Sequence, residues 1–359
     1  MINKKIKLKI ILAFLTVFLA IFPAFSNAKE TSVEEISPST MQKVKIALQE
    51  CFKTDLEENF QIKPLTGGYS ATSIRIDFAN KSYVLRIIKE SESPCRVNTE
   101  LYAMKEAAKI GVAPPIHWIS DDGHLILMDY VQGTTLTIEC SKKPEIIANV
   151  ASLMRKVHNL PKNPFNAPAF KEHMDKFYLE HSKGSKNLEI WEAAISIIRE
   201  GSLELEKLES PSVNTHGDLN PRNVLMTSQT LYFIDWSEEM YTEPFQDLGY
   251  FSILMDYNSC EDDLLLNSYL LRQPTTYEKK RFLIAKKMNF GRLALGGLYV
   301  GNKLSIAKEE DNTSHELKEW PYYAKSFASN DENLSSQFFC NLAKVAIQSA
   351  NAINIDAIN

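Results

Sequence analysis

The sequence has no excess of basic residues, no closely spaced cysteines and no internal repeat. Its 40 Lys and Arg residues are outnumbered by 45 Asp and Glu residues, which gives a formal net charge of −5. This balance lacks the positive charge that attracts nucleic acid, so no nucleic-acid partner is expected. The cysteines are too far apart for the paired ligands of a structural zinc site, and their odd number leaves at least one thiol without a disulfide. They are Cys51, Cys95, Cys140, Cys260 and Cys340.

Residues 1–28 have the pattern of a secretory signal peptide. Several lysines precede an apolar stretch from Ile10 to Phe22, and Ser26-Asn27-Ala28 then supplies small residues for cleavage. An uncleaved membrane anchor is the alternative, but the apolar run falls short of the roughly 20 residues that span a bilayer, and Pro23 interrupts it. The sequence therefore predicts cleavage, export to the periplasm or out of the cell, including into a host, and no stable membrane insertion afterwards.

The most informative segment is 216–223, which reads His-Gly-Asp-Leu-Asn-Pro-Arg-Asn. Transfer of the γ-phosphoryl group of ATP needs a carboxylate that orients the attacking hydroxyl and receives its proton, and Asp218 suits that role. An oxygen ligand for Mg²⁺ follows on the same loop, where Asn223 stands five residues further on. The apolar run Leu231–Ile234 then ends at Asp235, which is predicted to be the second Mg²⁺ ligand.

Each of these three residues also has an ordinary structural interpretation. Asp218 could be a turn or capping residue, Asn223 could begin a strand, and Asp235 could cap a helix. Their order, their spacing and the short β-like runs between them nevertheless favour a kinase that uses ATP and Mg²⁺.

On these residues the chain resembles the aminoglycoside phosphotransferase and choline kinase family of small-molecule kinases. Gly217 stands between the His and the Asp, where protein kinases carry Arg, and Trp236 follows the strand-end Asp, as is common in this family. The resemblance extends over about residues 50–330 and is strongest from Asn214 to Tyr250. It implies an α+β, two-lobed protein-kinase-like fold, with a small N-terminal antiparallel β-sheet lobe plus helix and a larger, mainly helical C-terminal lobe.

Local patterns agree with this division, which places the N-terminal lobe at 29–131 and the C-terminal lobe at 132–359. Apolar residues at helical spacing predict helices, and β-branched runs predict strands. The predicted helices are 41–51, 144–158, 188–208 and 282–304, with a further helix opened by Ser93 and Pro94 and ending at Gly111; the predicted strands include 62–65, 72–78, 83–88 and 125–131.

The glycine turn between the first two strands is predicted to lie over the phosphates of the bound nucleotide. Gly67 and Gly68 allow backbone amides to approach phosphate oxygens, and Thr66 and Ser70 add hydroxyl donors. A plain hairpin turn is the alternative, and the position of this turn in the resembled family favours the nucleotide role.

The third strand carries a cation, Arg86, where the family positions a basic residue over the α- and β-phosphates. Many members use Lys there, so Arg is a departure; its planar fork can bind phosphate in a bidentate manner. Glu100, on the following helix, is predicted to pair with it, although a solvated helical Glu is the alternative. Lys89 is the less favoured substitute because it lies on the opposite face of the strand.

The resemblance also implies a binding site for adenine and a residue that supports the catalytic loop, which is the segment 216–223. The backbone of Asp129 to Val131 would pair with the purine edge where the two lobes join, although these residues could equally be core. Asp247 would support the catalytic loop by accepting amide or His hydrogen bonds, and His216 is assigned a structural role beside it.

The acceptor is predicted to be a small cationic molecule that carries a hydroxyl: choline- or ethanolamine-like, an aminoglycoside, or thiamine-like. Trp236, Glu238 and Tyr250 are candidate contacts, although each could be core or surface. Ser237 stands where relatives often have Glu, so the usual substrate-side carboxylate is displaced to Glu238 or absent. Two other functions stay open: an exported, inactive nucleotide-binding module, and a kinase that modifies a protein.

Overall fold

The protein has an antiparallel sheet followed by a mainly helical part. The computed structural model describes residues 37–53, 60–65, 71–165, 167–307, 317–328 and 335–356. The predicted signal peptide and the glycine turn at 66–70 lie outside the described residues. Among the helices that are described, none is both long and apolar enough to cross a membrane.

The sheet has five strands in the order β1-β2-β3-β5-β4, and every neighbouring pair is antiparallel. Alternate side chains face opposite sides of each strand. Leu85 and Ile87 therefore pack into one apolar cluster with Val44 and Leu48 of the preceding helix, while Arg86 faces the other side. The elements are helix α1 Pro38–Phe52 and strands β1 Gln61–Leu65, β2 Ala71–Phe78, β3 Lys81–Ile88, β4 Ile116–Ile119 and β5 Leu125–Asp129.

Helix α2, Pro94–Lys109, interrupts the sheet in sequence and carries Glu100. The Ser93 hydroxyl accepts a hydrogen bond from the Arg96 amide at 3.3 Å, and Pro94 occupies the first turn, where its missing N–H costs nothing. Gly111 follows the helix with φ of 71°, a left-handed conformation that glycine adopts without strain. Both predicted ends of this helix therefore correspond to real caps.

The rest of the chain is mainly helical and is built around one long central helix, α9. This helix packs against α6, α7 and α11. Two small sheets have the strand orders β10-β7 and β6-β8-β9, and Asp235, which follows β9, contacts Arg86 of the large sheet. The elements are β6 Thr134–Thr135, α3 Ile138–Ser141, α4 Pro144–His158, α5 Phe170–His181, α6 Leu188–Lys207, β7 Val213–Thr215, a 3₁₀ turn Pro221–Asn223, β8 Val224–Met226, β9 Leu231–Phe233, β10 Met240–Thr242, α7 Phe245–Leu254, α8 Ser259–Leu270, α9 Thr276–Ala307, α10 Trp320–Ala328 and α11 Ser336–Ala352.

The predicted helices at 144–158 and 188–208 agree with α4 and α6 to within one residue. The helix predicted at 282–304 is longer at both ends, because Thr276 to Arg281 and Ser305 to Ala307 continue it. The large sheet ends at Asp129, and Thr134 already pairs with Met226. The chain thus leaves the large sheet between these positions, and the exact lobe boundary at 131 stays a prediction.

Candidate active site

The loop between β7 and β8 presents Asp218, and both oxygens of its carboxylate are hydrogen-bonded. The side-chain amides of Asn220 and Asn223 each donate to Asp218 Oδ2 at 3.0 Å, and the Tyr250 hydroxyl donates to Oδ1 at 3.0 Å. The Asn223 amide also donates to the Asp218 carbonyl at 2.8 Å, which closes the loop on itself. The carboxylate is therefore held in one orientation before any ligand arrives.

Gly217 is required by the shape of this loop. Its φ is 80°, and a Cβ placed there would lie 1.8 Å from the Glu238 carbonyl oxygen. The positive φ is unfavourable for any residue with a side chain. The short distance means that a Cβ could be accommodated only if the backbone moved. The residue that distinguishes this sequence from protein kinases is therefore fixed by the segment that packs over the loop.

Asp247, in the first turn of α7, supports the loop from below. Its Oδ2 accepts the His216 amide at 2.8 Å and His158 Nε2 at 3.1 Å, and its Oδ1 accepts the Gly217 amide at 2.9 Å. Burial alone would raise the pKa of Asp247, but the hydrogen bond and charge of His158, the charge of His216 and the Gly217 amide together lower it. The carboxylate thus stays ionised and keeps two successive loop amides in place.

Asp235 stands two residues beyond β9 in a left-handed conformation, with φ of 62°. Its Oδ1 accepts hydrogen bonds from Ser237 Oγ at 2.9 Å and from Arg86 Nη2 at 3.0 Å. Arg86 in turn donates through Nε to Glu100 Oε1 at 2.7 Å. One guanidinium therefore connects β3, α2 and the predicted metal ligand.

Burial and charge shift the acids of this site in different directions. Burial raises the pKa of Asp218 well above its ordinary value, and although Arg292 opposes the shift, the nearby carboxylates Glu238 and Asp235 reinforce it. Burial would also raise the pKa of Asp235, yet the charge of Arg86 and the Ser237 hydrogen bond lower it. Asp235 thus has the anionic character of a metal ligand, and Asp218 that of a base.

The donor set of this site fits Mg²⁺. Asn223 uses its amide nitrogen on Asp218, which leaves its amide oxygen available, and Asp235 uses Oδ1, which leaves Oδ2 without a hydrogen-bond donor among the described residues. Mg²⁺ prefers such oxygen ligands and completes its shell with water and phosphate oxygens. The described residues contain no group of three or more His, Cys, Asp or Glu side chains that could hold a metal ion, so Mg²⁺ here would depend on these two residues together with water and phosphate.

The predicted adenine site lies at the end of β5. The Asp129 amide donates to the Pro115 carbonyl at 2.9 Å, and the Asp129 carboxylate contacts His117 Nε2 at 2.6 Å. The backbone N–H of Val131 has no hydrogen-bond acceptor among the described residues. This amide is therefore available to a ligand, whereas that of Asp129 is occupied within the protein.

The three predicted acceptor contacts are all buried, and each of them contacts other side chains of the protein. The Trp236 ring lies 4.5 Å from the His216 ring, and Tyr250 donates to Asp218. Glu238 lies 3.4 Å from Arg96 Nη2 and 3.5 Å from His173 Nε2. Of these residues, Tyr250 is the one that directly contacts the predicted base.

Two neighbours of the catalytic loop were not anticipated from the sequence. The Asn163 side-chain amide donates to the Thr99 carbonyl at 3.1 Å and to Glu239 Oε2 at 2.7 Å, which joins α2 to the loop after Asp235. Arg292 donates to the Gly217 carbonyl from α9. A single cation in the apolar run from Phe290 to Val300 was a visible signal for Arg292, whereas Asn163 had none.

Glu239→Gln is expected to stabilise the protein at alkaline pH. Burial raises the pKa of Glu239 from 4.5 to about 8, against a hydrogen bond from Asn163 that lowers it. Because the folded state holds this proton more tightly, stability is greatest below the unfolded pKa and is lost as the pH rises to about 8. The amide cannot ionise, so we expect a gain of at least about 2 kcal/mol near pH 8.5 and less than about 1 kcal/mol near pH 5, measured by urea unfolding.

Exposed Glu206 provides the control for this experiment, and Glu206→Gln should show no comparable gain. Equal effects of Glu239→Gln at both pH values would show that Glu239 is ionised in the folded protein.

Several solved structures have a fold similar to that of this chain. A choline/ethanolamine kinase family protein from Mesorhizobium loti is 22% identical, with a TM-score of 0.58 over 87% of this chain and 99% of that one. A choline kinase from Streptococcus pneumoniae, LicA, is 17% identical, with a TM-score of 0.60 over 86% and 99%, and LicA has also been solved with AMP. These similarities confirm the predicted two-lobed protein-kinase-like fold.

Two sequence matches support the same assignment. A LicA homolog from Mycoplasma capricolum is 23% identical over 168 residues, which are 47% of this chain, and the chain spans 65% of the length of that relative. The model of the phosphotransferase enzyme family matches residues 61–283, from the first strand of the sheet into the central helix. Because that match covers more than half of the sequence, the chain belongs to the phosphotransferase enzyme family.

Proposed function

We propose that the protein transfers the γ-phosphoryl group of ATP to a hydroxyl of a small molecule in a Mg²⁺-dependent reaction. The observation that carries this proposal is that Asp218, Asn223 and Asp235 lie together. Asn223 contacts Asp218, the amide of Ile234 next to Asp235 donates to the Asn223 carbonyl at 2.9 Å, and Arg86 joins Asp235 to Glu100. A carboxylate for the acceptor, two oxygen ligands and a cation for the phosphates are the parts that phosphoryl transfer needs. A purely structural role for these residues would not require the carboxylate, both oxygen ligands and the cation to lie together.

Asp218 acts on the acceptor. Its carboxylate accepts a hydrogen bond from the acceptor hydroxyl, orients that oxygen towards the phosphorus, and takes its proton as the new P–O bond forms. The Asn220 and Asn223 amides keep Oδ2 fixed, so Oδ1 is the oxygen that meets the acceptor. Oδ1 has the Tyr250 hydroxyl as its donor and can accept a second hydrogen bond from the acceptor.

Asn223 and Asp235 would hold Mg²⁺, which when bound neutralises negative charge on the phosphates. Arg86 binds phosphate oxygens on the donor side, and Glu100 fixes the direction of its guanidinium. Preorganised charge of this kind supplies most of the rate acceleration in phosphoryl transfer, because the protein performs little covalent chemistry itself.

The acceptor class is the part of the proposal that rests on resemblance. Choline and ethanolamine kinases are among the similar structures, which supports amino alcohols as the first compounds to test, followed by aminoglycosides and thiamine. The experiment is a screen of purified residues 29–359 for ADP formation from Mg·ATP with each acceptor. Acceptor-dependent ADP formation supports the proposal, and failure to bind Mg·ATP at all would refute it.

Arg86→Ala and Glu100→Ala are expected to impair the same step. Arg86→Ala removes the phosphate contact, so ATP affinity and turnover should fall together, and Glu100→Ala should cause part of that loss by freeing the guanidinium. The double variant should be little worse than Arg86→Ala, because the two side chains form one contact at 2.7 Å. Steady-state kinetics with varied ATP measures all three variants.

Arg86→Lys and Lys89→Ala complete this series. Arg86→Lys should keep part of the activity, since the charge survives but the bidentate grip is lost. A larger loss from Lys89→Ala than from Arg86→Ala would transfer the phosphate role to Lys89, and additive losses from Arg86→Ala and Glu100→Ala would show that the pair does not act as a unit.

We also propose that the protein is exported and acts where ATP is present outside the producing cytoplasm, such as inside a host cell. The support is the signal-peptide pattern of residues 1–28 beside a complete set of residues for ATP chemistry. Cell fractionation with mass spectrometry of the N-terminus tests it. An intact N-terminus found only in the cytoplasm would contradict the proposal.

A further inference from the structure

Arg292 is an exception among the arginines of the described structure. Three of them are buried: Arg86, Arg281 and Arg292. Arg86 is paired with Glu100 and Arg281 with Glu243, whereas Arg292, which is only 1% exposed, has no carboxylate oxygen within 4.0 Å in the described part of the chain. The carboxylates whose pKa its charge lowers, Asp218 and Glu238, lie beyond that distance, and a buried charge without a close counter-ion is costly.

The contacts of Arg292 satisfy only part of its guanidinium. Nη1 donates to the Gly217 carbonyl, and the planar group lies over the Tyr250 ring, 4.6 Å from its centroid. Nε and Nη2 have no hydrogen-bond partner among the described residues. An unsatisfied N–H of a buried cation is destabilising, and a bound oxygen acceptor would remove that penalty.

Tyr250 covers both Arg292 and the predicted base. Its hydroxyl occupies Asp218 Oδ1 and its ring lies against the guanidinium. An acceptor hydroxyl would bind at Asp218 Oδ1, because Oδ2 is already held by two amides whereas Oδ1 has one donor, Tyr250. A shift of the Tyr250 side chain that admits the acceptor there would also expose Arg292 to it, so one molecule in that place would meet a base and a cation together.

We propose that Arg292 binds an oxyanion of the acceptor, a carboxylate or a phosphate close to the hydroxyl that is phosphorylated. The inference rests on the proposed function and narrows its acceptor class. A quaternary ammonium directly beside the hydroxyl would meet a guanidinium of the same sign, whereas a carboxylate or phosphate would accept from Nε and Nη2 in a bidentate manner. A cationic group elsewhere on the acceptor is compatible with this site. A zwitterion therefore satisfies both the cationic acceptor predicted from the sequence and the oxyanion inferred from Arg292.

Matched acceptor pairs test this proposal. Serine is ethanolamine with an added carboxylate, and glycerol 3-phosphate is glycerol with an added phosphate, so each pair isolates the oxyanion and the two pairs separate carboxylate from phosphate. With saturating Mg·ATP, at least one oxyanion-bearing member, serine or glycerol 3-phosphate, should have a kcat/KM for ADP formation at least about tenfold above that of its partner. Arg292→Met should abolish this preference by raising the KM of the oxyanion-bearing acceptor, while the KM for ATP stays unchanged.

Arg281→Met is the matched control, because it also removes a buried arginine from α9. It should lower stability but keep the acceptor preference. Arg292→Lys retains the charge and should keep part of the preference, which makes the test independent of whether Arg292→Met folds.

Two results would overturn the inference while leaving the proposed function intact: a preference for ethanolamine or glycerol, or an oxyanion preference that survives in Arg292→Met. If no acceptor is turned over, the test is calorimetry of serine or glycerol 3-phosphate binding in the presence of Mg·ADP. Absence of binding, or binding of equal affinity in Arg292→Met, would overturn the inference. Failure of the wild-type protein to bind Mg·ATP would instead count against the proposed function.

Discussion

Asp218→Asn is expected to lower turnover by at least about a hundredfold while ATP affinity changes little, because it removes the proposed base and keeps the shape of the site. The amide oxygen of Asn at this position can still accept a hydrogen bond from the Tyr250 hydroxyl or from the Asn220 side chain, so the loop should stay in place. Asn223 and Asp235 are untouched, so Mg·ATP binding should persist. Single-turnover kinetics and calorimetry with Mg·ATP measure the two quantities separately.

Asp262→Asn is the control for this substitution. Asp262 is also a hydrogen-bonded, mostly buried carboxylate, held by Ser252 and Lys286 at 2.5 Å each, but it lies on α8 away from the catalytic loop. Its replacement should affect stability and leave turnover of the folded enzyme nearly unchanged. Wild-type turnover in Asp218→Asn would remove Asp218 from the mechanism.

Asp235→Ala is expected to abolish the Mg²⁺-dependent part of nucleotide binding. It removes one of the two available oxygen ligands, and it also removes the acceptor that holds Arg86 Nη2 at 3.0 Å. The metal and the phosphate-binding cation should therefore be disturbed by one substitution. Calorimetry of ATP binding with and without Mg²⁺ should show a large difference for the wild type and none for the variant.

Asp263→Ala is a suitable control, since Asp263 is exposed and its contact with Lys279 at 3.0 Å is a surface pair of small energetic value. Mg²⁺-dependent affinity retained in Asp235→Ala would contradict the assignment of Asp235. Loss of affinity in Asp263→Ala would point to a global effect.

The elements that the sequence predicted well are those with local causes. Ser93, Pro94 and Gly111 mark the ends of α2 through hydrogen bonds and backbone angles within a few residues. The apolar spacing of α4 likewise depends only on the helical repeat. The α9 helix was underestimated because its first turn, from Thr276, is polar and exposed and therefore carries no periodic apolar signal.

In the candidate site, too, the contacts between residues close in sequence were predictable and those between distant residues were not. Asp218 and Asn223 belong to one loop, five residues apart, so their spacing in the sequence already implies their contact in space. Arg86 and Asp235 are separated by 149 residues, and the resemblance to a family was needed to place both at one site. No pattern indicated that Tyr250 donates to Asp218, because a tyrosine in a buried helix is ordinarily a core residue.

The sequence by itself predicted the type of chemistry, because Asp218 and Asn223 lie five residues apart on one loop and Asp235 follows shortly after it. Only the tertiary structure decided what surrounds that segment. Arg292 is 75 residues from Gly217, and its burial among apolar neighbours could be read from the sequence, but its contact could not. Which buried groups meet is settled by the packing of whole helices and sheets, which depends on every element at once.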